Sequence, residues 1–236
     1  MFITKKNAII EAISKDLVKT LYIKLPVSKR EKYIVKLAQN KNVIIKNISK
    51  DEMKDIIGKI YSIVADVKEN SQIDVKDFLD KSIEKTKKPL ILILDSITDV
   101  HNLGAIIRNA YFFGISAIII PKDNSAPINE KVYEISSGAA YNIPIFIETN
   151  LNNVINLMKD KGFWIYYSSE KGQISIENFK FNYPTAIIFG NEHSGVKDIL
   201  KRNSDGSIVI KSINNFDSLN VSAASAIICY MYSIYN

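Results

Sequence analysis

The sequence predicts an α/β protein in two parts: a small mixed αβ module, then a larger domain built on a parallel sheet. Three observations carry this. Short apolar runs alternate with helix-patterned segments along the chain. In the second part those runs lack strict period-2 alternation, as expected of strands buried on both faces and covered by helices. A polar, mostly charged stretch, KENSQIDVKDFLDKSIEKTKK, separates the two parts. The boundaries read as a module over 1–69, a linker over 70–88 and a larger domain over 89–236.

In the module, TKKNAIIEAI has helical spacing and VKTLYIKL reads as a strand. SKREKYIVKLAQ is a helix opened by Ser28 as N-cap, and NVIIKNI is a strand. SKDEMKDIIG is a helix ending at Gly58, and KIYSIVADV a strand. The N-terminus, MFITKKNAIIEAI, reads as a helix start. The linker carries one weakly amphipathic turn or two around Phe78, Leu79 and Ile83. From Pro89 the strands are PLILILDSI, SAIIIP, NIPIFIE, FWIYYSSE, PTAIIFGNE and GSIVIKS. Between them lie the helical segments LGAIIRNAYFF, NEKVYEISSGAA, LNNVINLMKDKG, GVKDILKRN and the terminal SLNVSAASAIICYMYSIY.

Composition narrows the function. The 236 residues are 47% hydrophobic and 24% charged, ordinary for a globular protein. No apolar run approaches the ~18–20 residues of a membrane span, and no secretory leader pattern is present. One cysteine, Cys229, excludes an intrachain disulfide framework, and one cysteine with two histidines is too few for a zinc site. A cytoplasmic setting without bound metal is the expectation. Charge is uneven: residues 1–88 hold 20 basic and 12 acidic side chains, net +8, whereas residues 89–236 hold 11 and 13, net −2. A basic front half suits a polyanion such as nucleic acid; a solvated lysine-rich surface accounts for it equally.

Three polar clusters follow apolar strands in the larger domain and run into helices: DSITDVHNLGAIIR (95–108), FGNEHSG (189–195) and KSINNFDSLNVS (211–222). Ligands of open α/β sheets bind beyond the carboxyl ends of strands, so the three loops form one candidate site. The glycine turn of a dinucleotide fold is missing, and no Lys-Ser/Thr follows Gly195 to make a phosphate loop. Ser194 lacks the context of a hydrolase nucleophile. What remains is backbone turns, amides and Arg108, a set that suits positioning of a polar cofactor and a phosphate-bearing substrate.

On these residues the sequence resembles the SpoU/TrmH branch of the SPOUT RNA methyltransferases. Asp99, Asn102, Gly104 and Arg108 match the family's first motif. Gly190, Glu192 and Gly195 match the second, and Ser218, Leu219, Asn220, Val221 and Ser222 the third. Residues 118–146 and the leading module are similar to the bacterial 23S rRNA guanosine-2′-O-methyltransferase subgroup. Val100 and Lys211 stand where the family often has proline.

The resemblance implies an L30e-like RNA substrate-binding domain over 1–69 and a catalytic SPOUT domain over 89–236 with a C-terminal trefoil knot. It implies S-adenosylmethionine as cofactor, contacted by Gly190, Ile210 and Leu219, with Ser218 and Asn220 lining the loop. Methyl transfer to a ribose 2′-hydroxyl would rest on Arg108, with Asn102 orienting the ribose and Glu192 holding Arg108 or the ribose. Asn102 and Ser218 also fit as plain helix caps. The small-residue run Ser222–Ala226 fits the family's homodimer and fits a buried helix equally well. Tyr22, Tyr33 and Tyr61 suit base stacking or apolar packing. The expected partner is RNA, most of all 23S rRNA. A tRNA or another rRNA site, as in antibiotic-resistance methylases, and a non-catalytic assembly factor are the alternatives.

Overall fold

The computed structural model describes residues 1–68, 74–85, 88–214 and 218–235. The first elements in chain order are β1 (Phe2–Ile3), α1 (Lys6–Ser14), β2 (Val18–Ile23), α2 (Lys29–Asn40), β3 (Ile44–Asn47), α3 (Lys50–Ile57) and β4 (Ile63–Val67). Next come α4 (Val75–Lys85), β5 (Leu90–Asp95), α5 (Val100–Phe112), β6 (Ala117–Pro121), α6 (Glu130–Ile135), β7 (Ile145–Glu148) and α7 (Leu151–Asp160). The chain closes with β8 (Trp164–Ser168), β9 (Ile174–Ser175), β10 (Thr185–Gly190), α8 (Asp198–Arg202), β11 (Gly206–Val209) and α9 (Val221–Tyr235). Contacts divide these into two compact units: Met1–Ser71 with Ile128–Asn142, and Gln72–Pro127 with Ile143–Asn236.

The first unit holds a four-stranded sheet in the order β1-β4-β2-β3, with β2 and β3 parallel and the other pairs antiparallel. Helix α1 buries Ala8, Ile9, Ala12 and Ile13, a stripe that its spacing puts on one face. Ser28 and Ser49 each close a capping box, with Glu31 and Glu52, and Gly58 ends α3 in the left-handed conformation. At the N-terminus the structure corrects the helix start: Phe2 and Ile3 pair with Asp66 and Ala65 of β4. Two residues carry no periodicity of their own; the ladder that makes them a strand lies more than sixty residues away.

Glu31 does more than cap. It is buried, takes the Ser28 N–H at 2.7 Å and the Ser62 hydroxyl at 2.5 Å, and pairs with Lys6 at 2.9 Å. Burial by itself would raise its pKa, but the bonds from Ser62, Lys6 and Ser28 together lower it from 4.5 to about 2. A carboxylate depressed in the folded state stabilises the protein fully above its unfolded pKa and loses that contribution as pH falls through the folded value. The first unit is therefore expected to lose stability between pH 4.5 and about pH 2, and Glu31→Gln should flatten that part of the profile in acid titrations followed by circular dichroism.

Residues 128–142, grouped by sequence with the larger domain, fall within the first unit. The Glu134 carboxylate accepts the Thr4 and Lys5 N–H groups at 3.0 and 3.2 Å, supplying the N-terminal cap that the Lys5 side chain does not provide. Asn142 donates to Glu11 at 2.8 Å. Gly138 has φ +88°, and a Cβ there would lie 2.7 Å from Glu11 Cβ and 3.1 Å from Ala8 Cα, so no other residue fits.

The second unit is a seven-stranded sheet in the order β7-β6-β5-β10-β8-β11-β9, parallel at every pairing. All six residues of β5 are buried, which is why its sequence shows no alternation. The linker is more ordered than its composition suggests. Within it α4 buries Leu79 completely and sets Phe78 against Phe146 with ring centroids 5.0 Å apart; residues 70–73 and 86–87 lie outside the described residues. Helix α9 is tied at its end by Lys88, whose carbonyl accepts the Tyr232 hydroxyl at 2.9 Å and whose ammonium donates to the Tyr235 carbonyl at 3.0 Å. Cys229 is buried in this helix, and burial pushes its thiol up to about 12, so it stays protonated. Among the described residues no helix is long and apolar enough to cross a membrane.

Candidate active site

From β5 the chain builds outward through β6 to β7, then crosses to β8, β10 and β11 on the other side. The sheet order therefore reverses between β5 and β10, where an open α/β sheet leaves a crevice beyond its strand ends. Two of the three polar clusters leave from those two strands, and the third follows β11.

Hydrogen bonds join the clusters side chain to side chain. Asn102, in the first turn of α5, donates through Nδ2 to Glu192 Oε1. Its Oδ1 accepts from Asn220 Nδ2 at 2.9 Å. Asn220 Oδ1 in turn accepts the Ser222 N–H at 2.9 Å and the Ser222 hydroxyl at 2.6 Å. The relay has a direction. Ser222 N–H can only donate, so Asn220 must turn its oxygen toward Ser222 and its nitrogen toward Asn102, which leaves the Asn102 nitrogen for the Glu192 carboxylate. Asn220→Asp puts a second acceptor against Asn102, and rotating the Asn102 amide only moves the clash to Glu192. About a tenfold or larger loss of whatever activity this site carries is expected, with an unchanged melting temperature because residue 220 is exposed.

The loop after β10 is closed on itself. Asn191 and Gly195 form an isolated bridge, and Asn191 Oδ1 accepts the His193 and Ser194 N–H groups at 2.9 and 3.3 Å. A Cβ on Gly190 would lie 2.2 Å from Gly195 C and Val196 N, so the loop can return past this point only over a glycine. Asn191 is a loop-closing residue that sequence patterning missed. Its signal was an Asn two and three residues before its N–H partners, the mark of an Asx turn.

The other expected residues fall as follows. Glu192 bonds Asn102, and no bond between it and Arg108 is present. Arg108 is exposed and makes no bond with any described residue. Helical geometry puts it about 9 Å along α5 from Asn102 and roughly 120° round. Its neighbour Asn109 reaches α9, donating to the Ser222 carbonyl at 3.1 Å. The N-cap of α5 is Asp99, which accepts the His101 N–H at 2.8 Å, so Asn102 is no cap. At α9 the capping bond comes from Asn220 rather than Ser218. Ser218 is exposed, Leu219 is half-exposed, and Ile210 lies partly buried just beyond β11. Gly190, Ile210 and Leu219 thus offer backbone groups and apolar side chains without fixed charge, a set that fits a neutral adenosine. Among the described residues no group of three or more His, Cys, Asp or Glu side chains could hold a metal ion.

A model of the SpoU rRNA Methylase family matches residues 89–230. An uncharacterized tRNA/rRNA methyltransferase of Borreliella burgdorferi is 38% identical over 212 residues, 86% of this chain and 92% of that protein. The 23S rRNA (guanosine-2'-O-)-methyltransferase RlmB of Vibrio parahaemolyticus is 38% identical over 165 residues, 70% of this chain and 66% of that protein. The fold is shared with the SpoU methyltransferase AviRb from Streptomyces viridochromogenes, solved in complex with AdoMet: TM-score 0.81, 20% identity, 100% of this chain and 89% of that one. The class is therefore that of the α/β methyltransferases. Within it, the chain belongs to the SpoU rRNA methylase family.

Proposed function

We propose that this SpoU-family chain transfers a methyl group from S-adenosylmethionine to a ribose 2′-hydroxyl of RNA, a guanosine of 23S rRNA above all. The observation that carries the reading is the relay Ser222–Asn220–Asn102–Glu192, which links all three family motifs across the switch point of the sheet. A 23S substrate is supported by the RlmB relative. S-Adenosylmethionine supplies an electrophilic methyl on sulfonium. The chain's own residues align the ribose oxygen with it and lower the cost of charge on that oxygen. Arg108 offers N–H donors and no acceptor, so it is not the base. It grips the substrate phosphate and stabilises the developing negative charge, while the 2′-hydroxyl proton leaves to that phosphate or to water. Asn102, locked by Glu192 and Asn220, orients the ribose.

The knot is part of the same reading. It is supported by the strand order, which puts β11 beyond β8, and by α9, which follows β11 in the chain yet packs on α5. The first unit is the RNA-binding part. The carboxyl ends of β2 and β3 and the start of β4 share one edge of its sheet. Lys24, Lys29, Lys50 and Lys59 lie around the exposed Leu25 and Ile60 there. A cytoplasmic location follows from such a substrate.

A second copy of the chain covers α5 and α9. No residue of α9 is charged; Tyr230 and Ile234 on it and Tyr111 on α5 are about half-exposed, Phe112 is 79% exposed, and Tyr230 meets Phe113 with ring centroids 6.0 Å apart. Arg108 shares the α5 face with Tyr111 and Phe112, at i, i+3 and i+4, which brings the catalytic arginine to the boundary between copies. Sedimentation should show a dimer, and Phe112→Glu should dissociate it.

Methyl transfer from labelled S-adenosylmethionine to purified 23S rRNA, 16S rRNA and tRNA, with mapping of the modified ribose, tests the activity. Label on 23S alone is the expected result. Label on tRNA moves the substrate, and tight RNA binding without transfer rejects the enzyme in favour of an assembly factor.

A further inference from the structure

Asp95 ends β5 and is wholly buried, yet it carries a carboxylate. Three donors converge on it: the Lys197 N–H at 2.8 Å, the Lys197 ammonium at 3.0 Å and the Ser96 hydroxyl at 3.0 Å. From the same corner the Ser96 carbonyl accepts Asn191 Nδ2 at 2.9 Å. Asn191 and Lys197 flank the loop that carries Glu192, so the Asp95–Ser96 corner staples both ends of that loop. The corner is itself bent, with Ser96 at φ +63°, a left-handed conformation unfavourable for serine. Only the carboxylate has left water, since the Lys197 side chain remains 54% exposed. A buried ion pair is a poor way to gain stability compared with an apolar side chain of similar size, so its presence needs another reason.

We propose that Asp95 is a positioning residue of the methyl-transfer site: it anchors the 190–196 loop, holding the Gly190 backbone toward the cofactor and the Glu192 carboxylate toward Asn102. This rests on the S-adenosylmethionine reading above. Its action runs through the loop, so cofactor binding should depend on it and RNA binding should not. Asn is the informative replacement. It is nearly isosteric, but its amide turns an NH₂ toward a cluster made only of donors.

The test uses the full-length protein with Asp95→Asn, Lys197→Met and the double variant. Calorimetry reports S-adenosylhomocysteine affinity, filter binding reports RNA affinity, and hydrogen exchange without ligand reports the loop. Asp95→Asn is expected to weaken S-adenosylhomocysteine about tenfold or more and to change RNA affinity less than about twofold. The Lys197 amide should exchange faster while the β5 amides of Ile91–Leu94 stay as protected as in the wild type. The double variant should be no worse than Asp95→Asn, because one contact is broken only once. A folded Asp95→Asn protein with wild-type cofactor affinity overturns the proposal, and so does equal loosening of β5 and the loop, which marks a general structural role. Should Asp95→Asn not fold, Lys197→Met decides on its own: a several-fold weaker affinity supports the anchoring and an unchanged one overturns it. If the wild type binds no S-adenosylhomocysteine, the methyltransferase reading has failed, and the exchange of the Lys197 amide alone then decides the anchoring.

Discussion

An Arg108→Lys protein is expected to fold, to bind S-adenosylmethionine as the wild type does, and to transfer methyl groups about a hundredfold to a thousandfold more slowly. The fold survives because residue 108 is exposed and bonds no described residue. Cofactor affinity survives because the Gly190, Ile210 and Leu219 backbones lie on other elements. Turnover falls because lysine keeps the charge but loses the planar fork that grips a phosphate through two parallel bonds and reaches the ribose oxygen beside it. Pre-steady-state transfer at saturating cofactor and RNA isolates the chemical step. Near-normal turnover would remove Arg108 from the mechanism and leave the relay to account for the whole of it.

The second large effect is expected at Gly190. An alanine Cβ would sit 2.2 Å from the Gly195 carbonyl carbon and the Val196 nitrogen, both backbone atoms of a loop already closed by the Asn191–Gly195 bridge. Neither can move without opening that bridge, so the loop must be rebuilt. Gly190→Ala should abolish measurable S-adenosylhomocysteine binding and cost about 3 kcal/mol or more in denaturant unfolding. Gly195→Ala is the control. Gly195 has φ +67° with open space around it, so alanine there meets only backbone strain, about 1 kcal/mol, and should retain most binding. If the two variants behave alike, packing across the loop is not what requires Gly190.

The residues of these predictions were legible to different degrees. Arg108, Asn102, Glu192 and Asn220 stood out because each follows an apolar strand whose burial gives no reason for polar residues at its end, and because they match family motifs. What they bond was not legible. Asn102 and Glu192 are ninety positions apart, and nothing local tells an arginine partner from an asparagine one. Asp95 looked like the end of an apolar run. Its burial and its ion pair depend on Lys197, 102 residues away. The helix in the linker was weak in sequence because its apolar residues are few; Leu79 and Phe78 take their order from the core they meet. The placement of residues 128–142 was hidden for the same reason. A Glu cap for another helix and a glycine fitted against Glu11 are ordinary residues until α1 lies beside them.

Local sequence is enough for the alternation of elements, the burial of the central strands and the positions of the three polar loops along the chain, because periodicity and capping act within a few residues. Tertiary packing settles which amide meets which carboxylate, which unit holds residues 128–142, and that Arg108 bonds no described residue. Those outcomes depend on contacts between distant segments, whose energies exist only once the sheet has brought them together.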